Sequence, residues 1–272
     1  MDAGARVDVA LVAGGRWHDI DFARLRLLEE LDRHDVARTS VHPDYSDIAA
    51  LRRADVLVTY ASDVRPTAVQ TDVLTKWLTA GGRWLALHAT CSAVDPPRPG
   101  RPGPFATPRA IDGLVSLVGG QFLAHPPIGP YRVEVTAPTH PLVAGLEPFD
   151  TVDELYVCEM RGPVDVLLHT MFDGECRGFA EGGRPTDAFR PVLWQKRTGA
   201  GTVTTLTLGH CRGRWDVRDL GIPDLGVQDR VAWESPGYQE VLGRSIAWAV
   251  HGDGWLACTG RGAGRADVVP RT

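Results

Sequence analysis

A chain of 272 residues, 43% hydrophobic and 23% charged, has ample apolar material for a core and reads as one α/β domain over residues 1–255. A net charge of -5, with no Lys/Arg run, excludes nucleic acid as the main partner, because phosphate binding leaves a basic patch. No apolar run approaches the ~18 residues of a membrane span, and the N-terminus lacks a secretion-signal pattern. The five cysteines are scattered without a CxxC pair, which fits a reducing cytoplasm, and with no spanning run no membrane partner is expected.

Val7–Ala13 (VDVALVA) is short, β-branched and closed by Gly14-Gly15, the pattern of a buried strand. Asp21–His34 comes next with Phe22, Leu25, Leu28 and Leu31 at helical spacing, and Asp21 is the expected cap. Val36–Val41 and Asp55–Tyr60 are the next strands. Pro66 opens a helix whose expected buried face is Val69, Val73, Leu74, Trp77 and Leu78, ended by Gly81-Gly82. Trp84–Leu87 is a fourth strand that runs directly into His88.

Residues 95–109, rich in Pro and Gly, read as a surface loop over a site. Ala110–Val118 is a predicted helix ended by Gly119-Gly120. Tyr131–Thr136 alternates as an edge strand, and Val164–Phe172, Pro191–Gln195 and Val203–Leu208 are further strands. Gly237–Val250 is the last helix, and residues 256–272 read as a mobile tail. Strands alternating with helices imply a mostly parallel sheet with helices on both faces. Ligands then bind beyond the carboxyl ends of the strands.

Four residues fall at that edge. His18 comes just after the first strand, Tyr60 ends the third, His88 ends the fourth, and His210 closes VTTLTLGH. Two further pieces join them: His125 after the Gly119-Gly120 pair, and Asp153-Glu154-Leu155-Tyr156. Histidines and carboxylates together hold a divalent metal or move protons near neutral pH. A lone histidine at a strand end is usually structural, and His34, His42, His169 and His251 are read so; His140 shapes a turn. Of the aromatics near the edge, Trp17 and Tyr131, with Tyr60 and Thr90, are candidates for contacting a sugar ring, whereas mid-strand Trp194 reads as core.

Other chemistries lack support. There is no GxSxG, no full GxGxxG and no GxxxxGK[ST], so no nucleotide cofactor is expected. Cys91 lies three residues past the strand end, beyond the turn where a nucleophile elbow places its reactive residue, and reads better as a buried thiol.

Three runs carry a resemblance: GGRWLALHAT; VGGQFLAHPPIGPYRVEVTAPTHPLVAGLEPFDTVDELY; and PVLWQKRTGAGTVTTLTLGH. Together they resemble the ThuA-like family, named for trehalose utilisation, over roughly residues 7 to 250. The resemblance implies a flavodoxin-like, three-layer α/β/α sandwich akin to the class I glutamine amidotransferases. In that plan His88 and its neighbours occupy the elbow where an amidotransferase carries its cysteine. His18, His88, His125, Asp153, Glu154, Tyr156 and His210 sit on the family's motif positions, and Cys211 stands where an Asp is expected.

The resulting expectation is an enzyme acting on a sugar or keto-glycoside, by proton abstraction and glycosidic cleavage or isomerisation. His88, Glu154, Asp153, Tyr156 and His210 are its candidate catalytic groups. His18, His88, His125 and His210 are the candidate ligands for a zinc or manganese ion. The alternatives are an amide or ester hydrolase using Cys91 and a non-catalytic sugar-binding or scaffold module. The expected partner is a small carbohydrate-like molecule, with a homodimer compatible with the composition.

Overall fold

In the structure, a computed structural model describing residues 5–97, 103–183 and 187–255, the strongest apolar runs become the centre of one sheet. The strands are β1 (Val7–Gly15), β2 (Ala37–His42), β3 (Val56–Ser62), β4 (Arg83–Leu87), β5 (Gly120–Ala124), β6 (Gly129–Val135), β7 (Phe149–Asp153), β8 (Val157–Met160), β9 (Asp165–Met171), β10 (Phe189–Thr198) and β11 (Gly201–Leu206). The α-helices are α1 (Ile20–Asp32), α2 (Ile48–Arg53), α3 (Ala68–Thr79), α4 (Asp112–Val118) and α5 (Pro236–His251). The large sheet has nine strands in the order β2-β1-β3-β4-β11-β10-β9-β6-β7, and β5 pairs with β8 in a separate ribbon.

The large sheet is mixed. Pairs from β2 to β11 are parallel, whereas β11–β10, β10–β9, β9–β6 and β6–β7 are antiparallel. The expectation of a mostly parallel sheet therefore holds for one half. In the second half β10 and β11 are joined by the two-residue Gly199-Ala200 turn between Thr198 and Gly201, which only antiparallel strands allow. The strand Tyr131–Thr136, expected at an edge, is β6, and it lies inside β7. The sequence pattern does not mark β7, because FDTVD is short and half polar.

Period-2 alternation divides the core. Along β1, Val9, Leu11 and Ala13 pack with Leu27 and Leu31 of α1 and Tyr238, Val241 and Ile246 of α5. Ala10 and Val12 point the other way, into a cluster with Val73, Leu74 and Leu78 of α3, Leu114 and Val115 of α4, and Trp84 and Trp194. Buried on both faces, these central strands must be apolar at every position, which makes them legible in the sequence.

Helix faces differ in detail from the pattern. α1 is capped by Asp19, not Asp21, and buries Ala23, Leu27 and Leu31 while Leu25 is exposed. α3 starts behind Thr67, which forms a capping box with Gln70, and Val69 is exposed. α5 runs as expected behind its Ser235 cap. α2, β5 and β8, all short, go beyond the elements expected from the sequence. No helix among the described residues is long and apolar enough to cross a membrane. Residues 256–272, and 98–102 of the Pro-rich stretch, lie outside the described residues.

Candidate active site

The carboxyl ends of β1, β3, β4 and β11 come level at one edge, since Gly15 pairs with Ser62, Tyr60 with Leu87, and Leu87 with Leu206. The strand order turns at β1/β3, the usual location of a ligand crevice in such sheets. Gly15 has φ +102°, and a Cβ there would lie 1.8 Å from the Ser62 carbonyl oxygen, so only glycine lets the two strand ends close up. Trp17 (φ 69°) and His18 come directly after.

His88 is the first residue after β4, with φ 45°, on a sharp turn into the short 3-10 segment His88–Cys91. Left-handed backbone at a non-glycine residue is strained, and it directs the His88 side chain into the site. His88 Nδ1 lies 2.7 Å from the Thr207 carbonyl oxygen. That oxygen can only accept, so the proton sits on Nδ1 and Nε2 carries a free lone pair. Around His88 Nε2 stand His18 Nε2 at 3.0 Å, the Tyr156 hydroxyl at 3.1 Å and Glu154 Oε2 at 3.5 Å.

His210 is placed by the β7 end. The Asp153 carboxylate accepts from the backbone N–H of Gly209 (2.7 Å), His210 (3.0 Å) and Glu154 (2.7 Å). Gly209 adopts φ +106°, and a Cβ would meet the Tyr238 hydroxyl at 2.4 Å. Asp153 is therefore a clamp facing backbone, not a group facing the cavity as expected. Burial raises its pKa, against which the clamped N–H groups and nearby histidines act.

Glu154 Oε2 lies 3.4 Å from His210 Nδ1 and 3.8 Å from His18 Nε2. Its Oε1 lies 3.2 Å from His125 Nε2 and 3.5 Å from Arg212. Burial works to raise the Glu154 pKa, but His125 and His210 outweigh it and hold the carboxyl well below its ordinary range. Burial, partly opposed by Glu154, lowers His18 to about 3, leaving a neutral imidazole suited to coordination. Both ring nitrogens of His210 are buried without a hydrogen-bond partner.

One donor atom from each of His18, His88, Glu154 and His210 lies within 4.8 Å of every other. These four donors would hold a divalent ion, which would supply positive charge at this end of the sheet. His125, expected as a ligand, is not in this group. Its Nδ1 donates to the Pro126 carbonyl oxygen at 2.7 Å and its Nε2 faces Glu154, so it orients the carboxylate instead.

Above the cluster opens a cavity of about 280 Å³, reached by His18, Glu154, Tyr156 and His125. Trp17 lines it, with its indole N–H donating to Asp219 at 3.0 Å. The other expected sugar contacts do not line it. Tyr60 lies beneath His18 and His88, donating to the Gly209 carbonyl oxygen at 2.8 Å; Thr90 donates to Leu87 at 2.8 Å; Tyr131 packs beside Ala124 and Leu155. Cys91 is buried with Sγ 3.7 Å from the His88 carbonyl oxygen, and it does not reach the cavity. Cys211 is fixed between the Tyr60 hydroxyl and Asp19, and burial raises it to about 12.

Ser62, Arg212 and the hydrophobic wall are site features that the sequence reading missed. Arg212, two residues past His210, was accessible from its position alone. Phe105 and Phe179, bridged backbone to backbone, belong to segments whose approach only the fold reveals.

A family model described as ThuA, trehalose utilisation, matches residues 9–220. No curated protein matches the chain. Among solved structures, a ThuA-like protein from Parabacteroides merdae is similar with 16% identity, 91% of each chain covered and a TM-score of 0.60. A ThuA-like protein from Bacteroides uniformis has 18% identity, covers 92% of this chain and 94% of its own, and gives a TM-score of 0.60. Likeness at these identities speaks to the fold.

Proposed function

The chain belongs to the ThuA family, described as trehalose utilisation, and from that membership we propose that it cleaves a 3-keto-glycoside by proton abstraction and elimination at a divalent-metal centre. The observation that carries this reading is the convergence of three imidazoles and one carboxylate from four separate chain segments, with His18 and Glu154 reaching the floor of a cavity and His88 and His210 buried behind them. The strand order supports a flavodoxin-like sandwich over residues 1–255, akin to class I amidotransferases, with His88 on the elbow in place of a cysteine.

The donor set fits a metal. Three nitrogens and one oxygen are suited to zinc or manganese, and the buried His210 nitrogens lie 3.4 Å from Glu154 and 3.9 Å from Asp229 without a well-aligned hydrogen bond to either. An ion held by His18, His88, Glu154 and His210 supplies positive charge beside a ketone oxygen on which negative charge develops.

The chain's own residues do the rest. A ketone at C3 acidifies the C2 proton. His125 lines the cavity with its Nδ1 proton given to the Pro126 carbonyl oxygen; its Nε2 takes the C2 proton, and the Glu154 carboxylate 3.2 Å away stabilises the imidazolium that forms. The C2–H electron pair becomes the C1=C2 bond, the C1–O bond breaks, and His125 returns the proton to the departing oxygen. Water adding across the double bond makes the net reaction a hydrolysis. Tyr156 stays a neutral hydroxyl, because burial and Glu154 raise its pKa well above the ordinary value, and it donates in orienting the substrate.

The test combines metal analysis of purified protein with turnover of 3-keto-trehalose and related 3-keto-glycosides, before and after EDTA. The expected result is near-stoichiometric metal and turnover that EDTA abolishes and zinc or manganese restores. Turnover unaffected by complete metal removal, or none across the panel with metal bound, overturns the reading.

A further inference from the structure

Polarity in the cavity changes sharply from floor to rim. At the floor, His18 and Glu154 are buried. The walls above are Val94, Phe105, Phe179 and, from the 212–229 segment, Val217, Leu220 and Leu225, with Ile222 at the rim 44% exposed. This segment is held in place by the Arg212–Asp229 bridge, the Arg214–Asp224 ion pair and the Leu225 N–H to Arg214 carbonyl bond at 2.9 Å.

Apart from the remaining N–H groups of Arg212 and the Tyr156 hydroxyl beside His88, the polar side chains lining the cavity are already engaged within the protein. Ser62 pairs with His18 at 3.1 Å, and Ser92 donates to Ala89 at 2.8 Å. Trp17 donates to Asp219, and Arg212 Nε donates to the Trp17 carbonyl oxygen at 3.0 Å. His125 donates to Pro126. A second sugar ring over the walls would bury hydroxyls with few partners, which disfavours it. Aromatic residues near the floor can stack on the face of one sugar ring. Branched aliphatic side chains at the rim have no such role, and they favour an apolar group.

We propose that the substrate is a glycoside with one sugar ring and an apolar aryl or alkyl aglycone, the ring seated on the His/Glu floor and the aglycone against the Val217–Leu225 wall. This rests on the proposed function, in which the floor processes a keto-glycoside. It parts from a disaccharide such as trehalose, whose second ring would have to sit against that wall.

Two measurements test it. First, calorimetry compares 4-nitrophenyl α-glucoside with trehalose on the metal-loaded protein, which needs no turnover. The aryl glycoside is expected to bind at least tenfold tighter. Trehalose binding equally or better, or no binding of either, overturns the proposal. Second, kcat/KM is compared for the 3-keto forms of the two compounds in wild type and Ile222→Asn, a change at an exposed rim position. A wild-type preference of at least tenfold for the aryl compound, narrowed at least threefold by the substitution, is expected. A ratio the substitution leaves unchanged overturns it. If neither keto compound turns over while the aryl glycoside still binds preferentially, the reaction assignment fails and the aglycone assignment stands.

Discussion

Asp153 and His210 are the residues on which the site's geometry turns. Asp153 holds three buried backbone N–H groups, and removing the carboxylate orphans all three. Asp153→Ala is expected to destabilise the protein by about 3 kcal/mol, read from the urea midpoint, and to displace His210. His210→Ala removes a ligand without removing a clamp. Its expected signature is at least a hundredfold weaker metal binding, measured by competition with a chromophoric chelator, with a folded far-ultraviolet spectrum retained. Retained metal affinity would mean that His210 is no ligand.

At the scale of elements, the site depends on one strained turn and one ribbon. His88 is held at φ 45° between β4 and the 3-10 turn. Left-handed backbone costs a residue with a Cβ about 1 kcal/mol, and glycine escapes that cost. His88→Gly should therefore be more stable than His88→Ala by about 1 kcal/mol, the reverse of the usual ranking inside regular structure. Equal midpoints in urea would deny the strain. The β5–β8 ribbon sets Phe122 and, at its ends, His125 and Tyr156 over the sheet edge. It is hard to read in the sequence because five- and four-residue strands carry too few periods to register. The long central strands and α5 are legible because burial on both faces, or along one full helical face, writes itself into every residue.

For the whole molecule, pH is the informative variable. His34 and His251, far from the site in sequence and joined by a 2.9 Å hydrogen bond, tie the ends of α1 and α5. Burial, together for His34 with the neighbouring His251, lowers both below the ordinary 6.5. Arg33 and Arg83 push the same way as burial and Asp35 opposes them. The native state thus binds fewer protons than the unfolded chain below that value. Stability is complete above about 6.5 and declines as pH falls through the lowered folded values. The urea midpoint should drop between pH 7 and pH 5.5, and drop less in the His34→Asn, His251→Asn double variant. A double variant as acid-sensitive as the wild type would assign the effect elsewhere, His18 being one group with the same sign.

The sequence alone marked the strands of the parallel half, the helices α1, α3 and α5, and the edge where His18, His88 and His210 meet. Hydrophobic runs mark the strands in succession along the chain, and a parallel arrangement then fixes which residues lie just past each strand end. It also indicated a histidine on the elbow. Only the tertiary structure decided which atoms face one another. Glu154 stands among the imidazoles and His125 behind it, Asp153 turns to the backbone, and Tyr60 and Thr90 point beneath the floor. A single residue of register reverses a side chain's direction at a strand end, and no pattern of residue types records that choice. The apolar wall has the same origin: Phe105, Phe179 and the Val217–Leu225 stretch come from segments distant in sequence, brought together by long-range packing.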